Sequence, residues 1–211
     1  PLRLLLALLS RLAMARAPAV FVQNEANLEE LASFGAIRGN GVLVPGSGVN
    51  LEHFQMAPYP GSDGGTRFLF LGRILADKGV VELAEAARAL AGLGASFRAA
   101  GLYDGPPVAA FDAAVDEGTL SYSGAVDDVR PLIEESHAVV LPSHHEGMAN
   151  VLLEAAAMGR PVLASKIPGA VEIFEEGETG FGFEPQNSRS LQAVLERFLA
   201  LSWEDKRALG C

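Results

Sequence analysis

Hydrophobic and polar positions alternate along most of the chain in a way that predicts strands and helices in turn. Short apolar runs bounded by Gly, Pro or polar residues predict strands, because a strand inside a parallel sheet is buried on both faces. The predicted strands are "AVFVQ" (19–23), "GVLVPG" (41–46), "RFLFLG" (67–72), "SFRAAGL" (96–102), "TLSYSG" (119–124), "AVVLPS" (138–143) and "PVLAS" (161–165).

Longer runs with apolar residues at helical spacing, several of them closed by Gly, predict the helices between these strands. They are "NLEELASFG" (27–35), "GVVELAEAARALAGLG" (79–94), "PVAAFDAAVDEG" (107–118), "DDVRPLIEESH" (127–137), "NVLLEAAAMG" (150–159), a short helix around "AVEIFEEG" (170–177), and "SRSLQAVLERFLALS" (188–202). Alternation of this kind predicts an α/β fold with a Rossmann-like parallel sheet covered by helices on both faces.

The segment from Pro45 to Gly65 interrupts the alternation and is rich in Gly, Pro, Ser and Asp. This composition is typical of segments that join domains, so residues 45–65 are predicted to be a linker. The elements before the linker are too few to form a domain of their own. The chain also stops in "WEDKRALGC", which predicts the start of a helix rather than the end of a fold. The chain is therefore expected to be a fragment of a larger protein.

The first seventeen residues, "PLRLLLALLSRLAMARA", combine an apolar run with Arg3, Arg11 and Arg16. The favoured interpretation is an amphipathic helix that packs against protein. A helix lying on an anionic membrane surface and a targeting segment are the alternatives. Because the arginines interrupt the run well short of the ~20 residues that span a bilayer, no transmembrane protein is expected.

Composition narrows the classes of function. The 211 residues carry a formal net charge of −10, which argues against non-specific binding to nucleic acid. The single cysteine, Cys211, excludes a disulfide framework and a zinc cluster, and a reducing, cytoplasmic setting is the expectation.

Ligands of an open parallel sheet bind beyond the carboxyl ends of its strands, where three loops of this chain are predicted to lie. In the first, "GRILADKG" (72–79), Gly72 allows a tight turn, and Arg73 and Lys78 flank the entrance to a helix. Two cations beside a helix N-terminus favour an anion such as a phosphate. Ordinary solvated surface charges are the alternative interpretation.

The second loop, in "LPSHHEGMANVLLE", leads into a helix that is predicted to be capped by Asn150. The amides of residues 147–151 would then point outward as a second anion site. Glu154 would lie one turn further on the same side, where its carboxylate could accept hydrogen bonds from ribose hydroxyls, and Glu146 could bind a second polyol. The alternative is that Glu154 is an exposed partner of the helix dipole, although its neighbours are mostly apolar.

The third loop, "SGAVDDV" (123–129), has small or apolar residues around Val126 and could read a flat base with its backbone, although a simple strand–helix connection is the more economical interpretation. Together the loops could hold a diphosphate, a ribose and a further polyol. That combination indicates a nucleotide-activated sugar, and no metal is required when cations and helix amides balance the diphosphate.

At these residues the chain resembles a known family. The stretches "FLFLGRILADKGVVELAEA", "SGAVDDVRPLIEESHAVVLPSHHEGMANVLLEAAAMGRPVLAS" and "PGAVEIFEEGETGFGFEP" are similar to the retaining, nucleotide-sugar-dependent glycosyltransferases of family four, which have the GT-B fold. The resemblance runs from about residue 66 to about residue 200, and "VPGSGVNLEHF" is similar to the connection between the two domains of that family.

The resemblance implies a role for each loop. Arg73 and Lys78 would hold the donor diphosphate, Glu154 the ribose and Glu146 the donor sugar. Ala149 departs from the proline that the family often has there, which leaves the backbone argument intact. The predicted donor site comprises Gly72, Arg73, Lys78, Val126, Glu146, Gly147, Met148, Ala149, Asn150, Val151 and Glu154, with Glu146, Arg73 and Lys78 assigned to catalysis.

The resemblance also implies the domain organisation and the partners. Residues 66–211 would be the C-terminal, donor-binding domain, truncated at its end, and residues 1–44 the tail of an incomplete N-terminal, acceptor-binding domain. The substrate would be a UDP- or GDP-linked sugar, used without metal or other cofactor, and the acceptor a glycan or lipid-linked glycan. The enzyme would work in the cytoplasm, with peripheral association at the inner-membrane face as a further expectation.

Several alternatives stay open at this point. His144 and His145 beside Glu146 suggest a metal, but adjacent histidines on an extended loop point apart and lack further ligands at useful spacing. A dinucleotide-dependent oxidoreductase is disfavoured, because "GSGVNL" lacks the third glycine of a dinucleotide-binding turn. A GT-B nucleotide-sugar epimerase is disfavoured by the spacing of the two glutamates. The main rival is a donor-domain fragment that binds the nucleotide but transfers nothing.

Overall fold

The computed structural model describes residues 2–44 and 46–210, with side chains of the first helix described from Leu5 onward. The predicted start of the linker at Pro45, the expectation for Cys211 and the side chain of Arg3 therefore lie outside the described residues. The chain forms two compact units that divide between Gly48 and Val49. This division falls inside the predicted linker, so that residues 49–65 belong to the second unit.

The first unit contains two helices and two short parallel strands. Helix α1 (Leu2–Met14) is followed by β1 (Val20–Val22), α2 (Glu25–Ser33) and β2 (Gly41–Leu43), and the register of the strands pairs Val20 with Gly41. Asn24 caps α2 by accepting a hydrogen bond from the Asn27 amide at 2.8 Å, so the helix begins before the predicted residue. Within the described residues, no helix is long and apolar enough to cross a membrane.

The second unit is built on a six-stranded sheet of parallel strands in the order β5-β4-β3-β6-β7-β8. The strands are β3 (Thr66–Leu71), β4 (Ala95–Ala100), β5 (Ser121–Tyr122), β6 (Ala138–Leu141), β7 (Val162–Ser165) and β8 (Gly180–Phe183). Since the chain runs outward from β3 in one direction and from β6 in the other, the strand order reverses between these two central strands. Their carboxyl ends are the place where such sheets bind ligands.

Helices cover both faces of this sheet, as predicted. Helix α3 packs against α4 and α7, while α5 contacts β3 and α6 contacts β6 and β7. Because crossovers between parallel strands are right-handed as a rule, α5 and α6 lie on the face opposite α3. The helices are α3 (Val80–Ala89), α4 (Ala109–Asp116), α5 (Arg130–Glu135), α6 (Asn150–Ala157), α7 (Ser188–Leu199) and α8 (Trp203–Ala208), with a 3₁₀ turn at Ala76–Lys78 before α3.

The core of the second unit lies between the sheet and its helices. All four residues of β6 are buried, as the uninterrupted apolar run predicts. Phe68 on β3 stacks on Phe97 of β4 at 5.1 Å between ring centroids and contacts Phe198 of α7 at 5.7 Å. These aromatic contacts join β3 and β4 to α7.

The predicted linker is largely fixed to the second unit. Carbonyl oxygens between residues 57 and 61 accept hydrogen bonds from the side chains of Arg160, Trp203 and His137. The His137 Nδ1 accepts the Arg67 amide, so its Nε2 carries the proton that it donates to the Gly61 carbonyl. Backbone polar groups that are bonded in this way do not behave as a flexible linker.

The short helix predicted around residues 170–177 is wrong. The chain makes turns there, and the Glu172 carboxylate accepts the Gly169 amide at 2.8 Å, which competes with helical bonding. The strand that follows, β8, was not among the predicted elements because Gly180 and Gly182 are poor strand formers. A Cβ at Gly180 would lie 2.1 Å from the Val162 carbonyl oxygen, so glycine lets the two strands approach.

Candidate functional site

Loops from the two central strands form a cleft at the carboxyl edge of the sheet. The loop after β3 brings Arg73 and Lys78, and the loop after β6 brings Glu146, so residues far apart in sequence meet at the strand-order reversal. The cleft has a volume of about 230 Å³. It is lined by Leu71, Gly72, Arg73, Lys78, Leu141, Glu146, Met148, Ala149, Asn150 and Val151.

Lys78 and Glu146 form an ion pair in this cleft. The Lys78 Nζ donates a hydrogen bond to Glu146 Oε1 at 2.7 Å, and both side chains are less than one-fifth exposed. Partial burial lowers the local dielectric, so the two charges interact more strongly than a surface pair would. Sequence analysis assigned Lys78 to the donor diphosphate and Glu146 to the donor sugar. In the free protein the two side chains are bonded to each other.

Arg73 lies at the open side of the cleft. Its guanidinium donates to the Asp104 carboxylate, and both side chains are more than half exposed. Exposed ion pairs contribute little to stability because water solvates both charges. Arg73 can therefore exchange Asp104 for another anion at small cost.

The two loops are held together by close backbone contacts. Gly79, between the 3₁₀ turn and α3, has φ of +72°, and a Cβ there would lie 2.0 Å from the Pro142 carbonyl oxygen. The His144 amide also donates to the Asp77 carbonyl at 2.9 Å. Glycine is required at position 79 both by the left-handed backbone and by the approach of the second loop.

The loop after β7 supports the loop after β6, and sequence analysis missed this contact. Gly169, in the turn after β7, has φ of +82°, and a Cβ there would lie 2.5 Å from the Gly147 carbonyl oxygen. Its own carbonyl accepts the Ala149 amide at 2.8 Å. The "PGAVE" turn that follows "PVLAS" was the available signal, because a glycine after a strand often marks close backbone approach.

The start of α6 differs from the prediction. Asn150 is the first helical residue and is exposed, while Ala149 occupies the capping position without a side-chain hydrogen bond. The Ala149 amide donates to Gly169 and the Asn150 amide to the Met148 carbonyl at 3.0 Å. Two of the five amides that were expected to face an anion are therefore already bonded, because the neighbouring turns lie closer than sequence spacing can reveal.

The remaining predicted residues do not line the cleft. Val126, on the loop after β5, is half-buried against the core, and Gly147 lies beneath the turn of Gly169. Glu154 is on the second turn of α6 and is half-buried. Within residues 2–44 and 46–210, no group of three or more His, Cys, Asp and Glu side chains is arranged to hold a metal ion.

The negative charge of Glu154 is not balanced by any described side chain. Among the described residues, no hydrogen-bond donor or cation contacts its side chain, and burial raises the pKa of Glu154 above its ordinary value of 4.5. Burial disfavours the charged form of a carboxyl because it removes hydration that no protein group replaces. Such a group is a candidate for binding a hydroxyl-bearing ligand.

Replacing Glu154 with Gln is expected to stabilise the ligand-free protein at neutral pH. Because the folded-state pKa lies above the unfolded value, ionised Glu154 disfavours the folded state, and this penalty disappears as pH falls below the unfolded pKa of 4.5. Thermal unfolding of both proteins between pH 4 and pH 7 measures the difference. We expect a higher Tm for the variant at pH 7 and convergence of the two curves toward pH 4.

The Glu134→Gln variant is the matched control, since Glu134 is an exposed carboxylate of α5. An equal gain at both positions would attribute the effect to the negative net charge of the chain. A variant at position 154 that is less stable than the wild type at pH 7 would contradict the assignment of Glu154 as an uncompensated charge.

Comparison with known proteins gives one family over most of the chain. A family model described as "Glycosyl transferases group 1" matches residues 65–200. An N,N'-diacetylbacillosaminyl-diphospho-undecaprenol alpha-1,3-N-acetylgalactosaminyltransferase of Campylobacter jejuni is 29% identical over 192 residues, which cover 85% of this chain and 50% of the relative. The capsular polysaccharide biosynthesis glycosyltransferase CapM of Staphylococcus aureus is 23% identical, with 91% and 55% covered.

Solved structures agree on the fold. The Anabaena protein HepE, in its complex with UDP-glucose, superimposes with a TM-score of 0.83 at 19% identity and covers 97% of this chain and 61% of its own. This likeness bears out the predicted parallel α/β fold. The chain spans about half the length of the curated relatives that it matches.

Proposed function

Because the chain belongs to the glycosyl transferases of group 1, we propose that its second unit binds the donor of a glycosyl transfer reaction. The donor is a nucleoside-diphosphate sugar, and the transferred sugar passes to a glycan or lipid-linked acceptor. The observation that carries this proposal is the meeting of Arg73, Lys78 and Glu146 in one cleft at the strand-order reversal. Two cations and a carboxylate in such a place suit a diphosphate attached to a polyol.

The size of the cleft supports an assignment to the diphosphate portion of the donor. A volume of about 230 Å³ is below the ~300–1,000 Å³ typical of sites for whole ligands of this class. Arg73 and Lys78 would balance the diphosphate charge without a metal ion. Val126 would then lie toward the base and Glu154 toward the ribose, outside the cleft itself.

The Lys78–Glu146 ion pair suggests how the site changes on binding. A diphosphate that enters the cleft offers Lys78 more negative charge than a single carboxylate does. Lys78 turns to the diphosphate, and Glu146 is released to accept hydrogen bonds from the hydroxyls of the donor sugar. In the free protein the same pair avoids leaving either charge buried and alone.

The reaction that we propose is transfer with retention, as in glycosyltransferases of family four. The bond from the anomeric carbon to the diphosphate oxygen breaks, the acceptor hydroxyl oxygen bonds to that carbon from the same face, and its proton passes to the departing diphosphate oxygen. Arg73 and Lys78 stabilise the negative charge that develops on the leaving diphosphate, which is where electrostatic catalysis has its largest effect. The Ala149 and Asn150 amides are already bonded, so of the predicted loop amides only others, such as that of Met148, would add to this stabilisation.

The names of similar proteins guide the proposed substrates. HepE is solved with UDP-glucose, and the Campylobacter jejuni relative is named for an undecaprenol-linked acceptor, so we propose a UDP-linked sugar and a lipid-linked or polysaccharide acceptor. GDP-linked donors remain the alternative. We place the work in the cytoplasm at the membrane face, where such an acceptor would be presented, and assign no nucleic-acid partner.

A second candidate function is nucleotide binding without transfer. It is suggested by the extent of the match, which covers 50% of the Campylobacter jejuni relative. Under this alternative the chain binds the donor as the proposal describes but shows no turnover by itself.

Calorimetric titration of the chain with UDP, GDP and ADP tests the proposed site. We expect micromolar to millimolar binding of one nucleotide and a loss of about tenfold or more in the Arg73→Ala and Lys78→Ala variants, because a hydrogen bond to a charged group contributes about 1.5–3 kcal/mol. The Glu146→Gln variant should bind the diphosphate at least as tightly as the wild type, since Lys78 is then free of its carboxylate partner.

Arg98→Ala is the matched control, because Arg98 is also half-exposed and ion-paired, to Glu135, but does not line the cleft. Equal losses of nucleotide affinity in Arg73→Ala and Arg98→Ala would show that the effect comes from the net charge of the chain and not from a contact in the cleft. Absence of binding by the wild type with all three nucleotides would contradict a donor site in this unit.

A further inference from the structure

Glu82 and His144 form a second polar pair, outside the residues that line the cleft. The His144 ring N–H at Nε2 donates to Glu82 Oε1 at 2.9 Å, with side chains only 23% and 11% exposed. Glu82 lies in the first turn of α3, one turn after Lys78, and His144 lies two residues before Glu146. The pair therefore joins the same two segments as the Lys78–Glu146 ion pair.

Burial of the Glu82 carboxylate costs free energy. Its second oxygen, Oε2, is buried and has no hydrogen-bond partner among the described residues. A buried acceptor left unbonded costs free energy, and an apolar residue would avoid this cost. The N-terminal end of α3 offsets only part of it through the helix dipole. A packing role alone does not account for a carboxylate here.

Donor binding changes what holds the loop of Glu146. In the free protein that loop is tied to the 3₁₀ turn by the Lys78–Glu146 ion pair and by the His144 amide, which donates to the Asp77 carbonyl at 2.9 Å. It is tied to α3 by the His144 ring, which donates to Glu82. When Lys78 turns to the diphosphate, its bond to Glu146 is lost. His144 then provides the remaining side-chain bond between the two segments.

We propose that Glu82 and His144 are positioning residues that hold Glu146 toward the donor sugar in the bound state. The inference rests on the proposed function and extends it, because it separates recognition of the sugar from recognition of the diphosphate. Arg73 and Lys78 belong to the other segment, where they bond to Asp104 and Glu146 rather than to Glu82 or His144. Loss of the pair should therefore weaken the contribution of the sugar more than that of the phosphates.

The test compares the affinity of this chain for a nucleoside diphosphate with its affinity for the matching nucleotide sugar. UDP is paired with UDP-glucose and GDP with GDP-mannose. The Kd for the nucleoside diphosphate divided by the Kd for the nucleotide sugar measures the contribution of the sugar. We expect the His144→Ala and Glu82→Ala variants to lower this ratio by about fivefold or more, since contacting residues contribute to a site as a coupled unit. The double variant should lose no more than either single variant.

Conservative variants separate positioning from folding. His144→Gln keeps an amide N–H near the place of Nε2 and should restore most of the ratio, whereas a structural role would show only as a lower Tm. Glu82→Gln keeps the volume of the side chain and an acceptor for His144, and should lower the ratio less than Glu82→Ala. His145→Ala, at the exposed neighbouring position, should leave the ratio unchanged.

Three results would overturn the inference. The first is a wild-type ratio near one, and the second is a ratio that stays at the wild-type value in both alanine variants. The third is a lowered ratio that His144→Gln does not restore. A wild type that binds neither nucleotide nor nucleotide sugar would contradict the proposed function itself, and the inference with it.

Discussion

Replacing Gly79 with Ala is expected to remove most of the nucleotide binding of this chain. Gly79 has φ of +72°, which costs an L-residue about 1–2 kcal/mol. The added Cβ would also lie 2.0 Å from the Pro142 carbonyl oxygen and 2.7 Å from the Pro142 Cβ. Since neither backbone can give way without moving its loop, the segment with Lys78 and the segment with Glu146 must separate.

The expected loss of affinity is about tenfold to a hundredfold, because a displacement of about 1 Å at a site can cost a factor of 10². Calorimetric titration with the nucleotide that the wild type binds measures this loss. Thermal unfolding of the same variant should show a lower Tm, since the strain at position 79 remains in the folded state.

Gly118→Ala is the matched control for backbone strain. Gly118 has φ of +74°, and a Cβ there would meet nothing within 4 Å. This variant should lose about 1–2 kcal/mol of stability and keep the wild-type affinity for the nucleotide. If Gly79→Ala binds as tightly as Gly118→Ala, the site does not depend on the close approach of the two loops.

Replacing Arg160 with Met is expected to cause the largest loss of stability. The side chain is 1% exposed, and its guanidinium donates to the carbonyl oxygens of Ile133, Glu134 and Met158 within the second unit. It also donates to Ala57 at 3.1 Å and Pro58 at 2.7 Å, in the segment that was predicted to be a linker. Burial lowers the pKa of Arg160, although the guanidinium stays charged at neutral pH.

Methionine fills similar volume but leaves these carbonyls without donors. Each buried acceptor left unsatisfied costs about 1–3 kcal/mol, so we expect a loss of at least about 3 kcal/mol in the free energy of unfolding. Denaturant titration measures it. Trp203, the single tryptophan, donates to the Pro60 carbonyl at 2.7 Å, and its fluorescence should shift to the red as residues 57–61 loosen.

Arg88→Met is the control for the loss of an arginine. Arg88 pairs with Glu117 in a partly exposed position, where removal of an ion pair costs about 0–1 kcal/mol. Equal losses at positions 88 and 160 would show that the carbonyl bonds of Arg160 contribute nothing beyond its charge.

Local patterns accounted for most of the second unit. Each predicted strand of the sheet formed, because continuous apolar runs such as that of β6 cannot be stable outside a buried sheet. The loops at the carboxyl ends were correctly placed for the same reason, since parallel strands bring these ends to one edge. The meeting of Arg73, Lys78 and Glu146 followed from that rule. The roles assigned to them stay predictions.

Errors arose where a close contact between distant segments outweighed local preference. Strand β8 forms from glycines because only glycine allows the backbone of Val162 to approach. The turn at Gly169 takes the place of a helix because it packs on Gly147, and the same contact uses the Ala149 amide. The linker at residues 45–65 stays a prediction, but local spacing did not show that Arg160 donates to the Ala57 carbonyl, 103 positions earlier in the sequence. Local spacing carries no information about such pairs.

By itself the sequence determined the order of the elements up to β7, the parallel sheet and the presence of cations and carboxylates in the loops at one edge. These properties depend on periodicity and composition, which act over a few residues. Only the tertiary structure decided which charges become partners: Lys78 with Glu146, Arg73 with Asp104, and His144 with Glu82. The reason is that ion pairs depend on distances of a few ångströms between loops, and these distances are set by the packing of the whole sheet and its glycines.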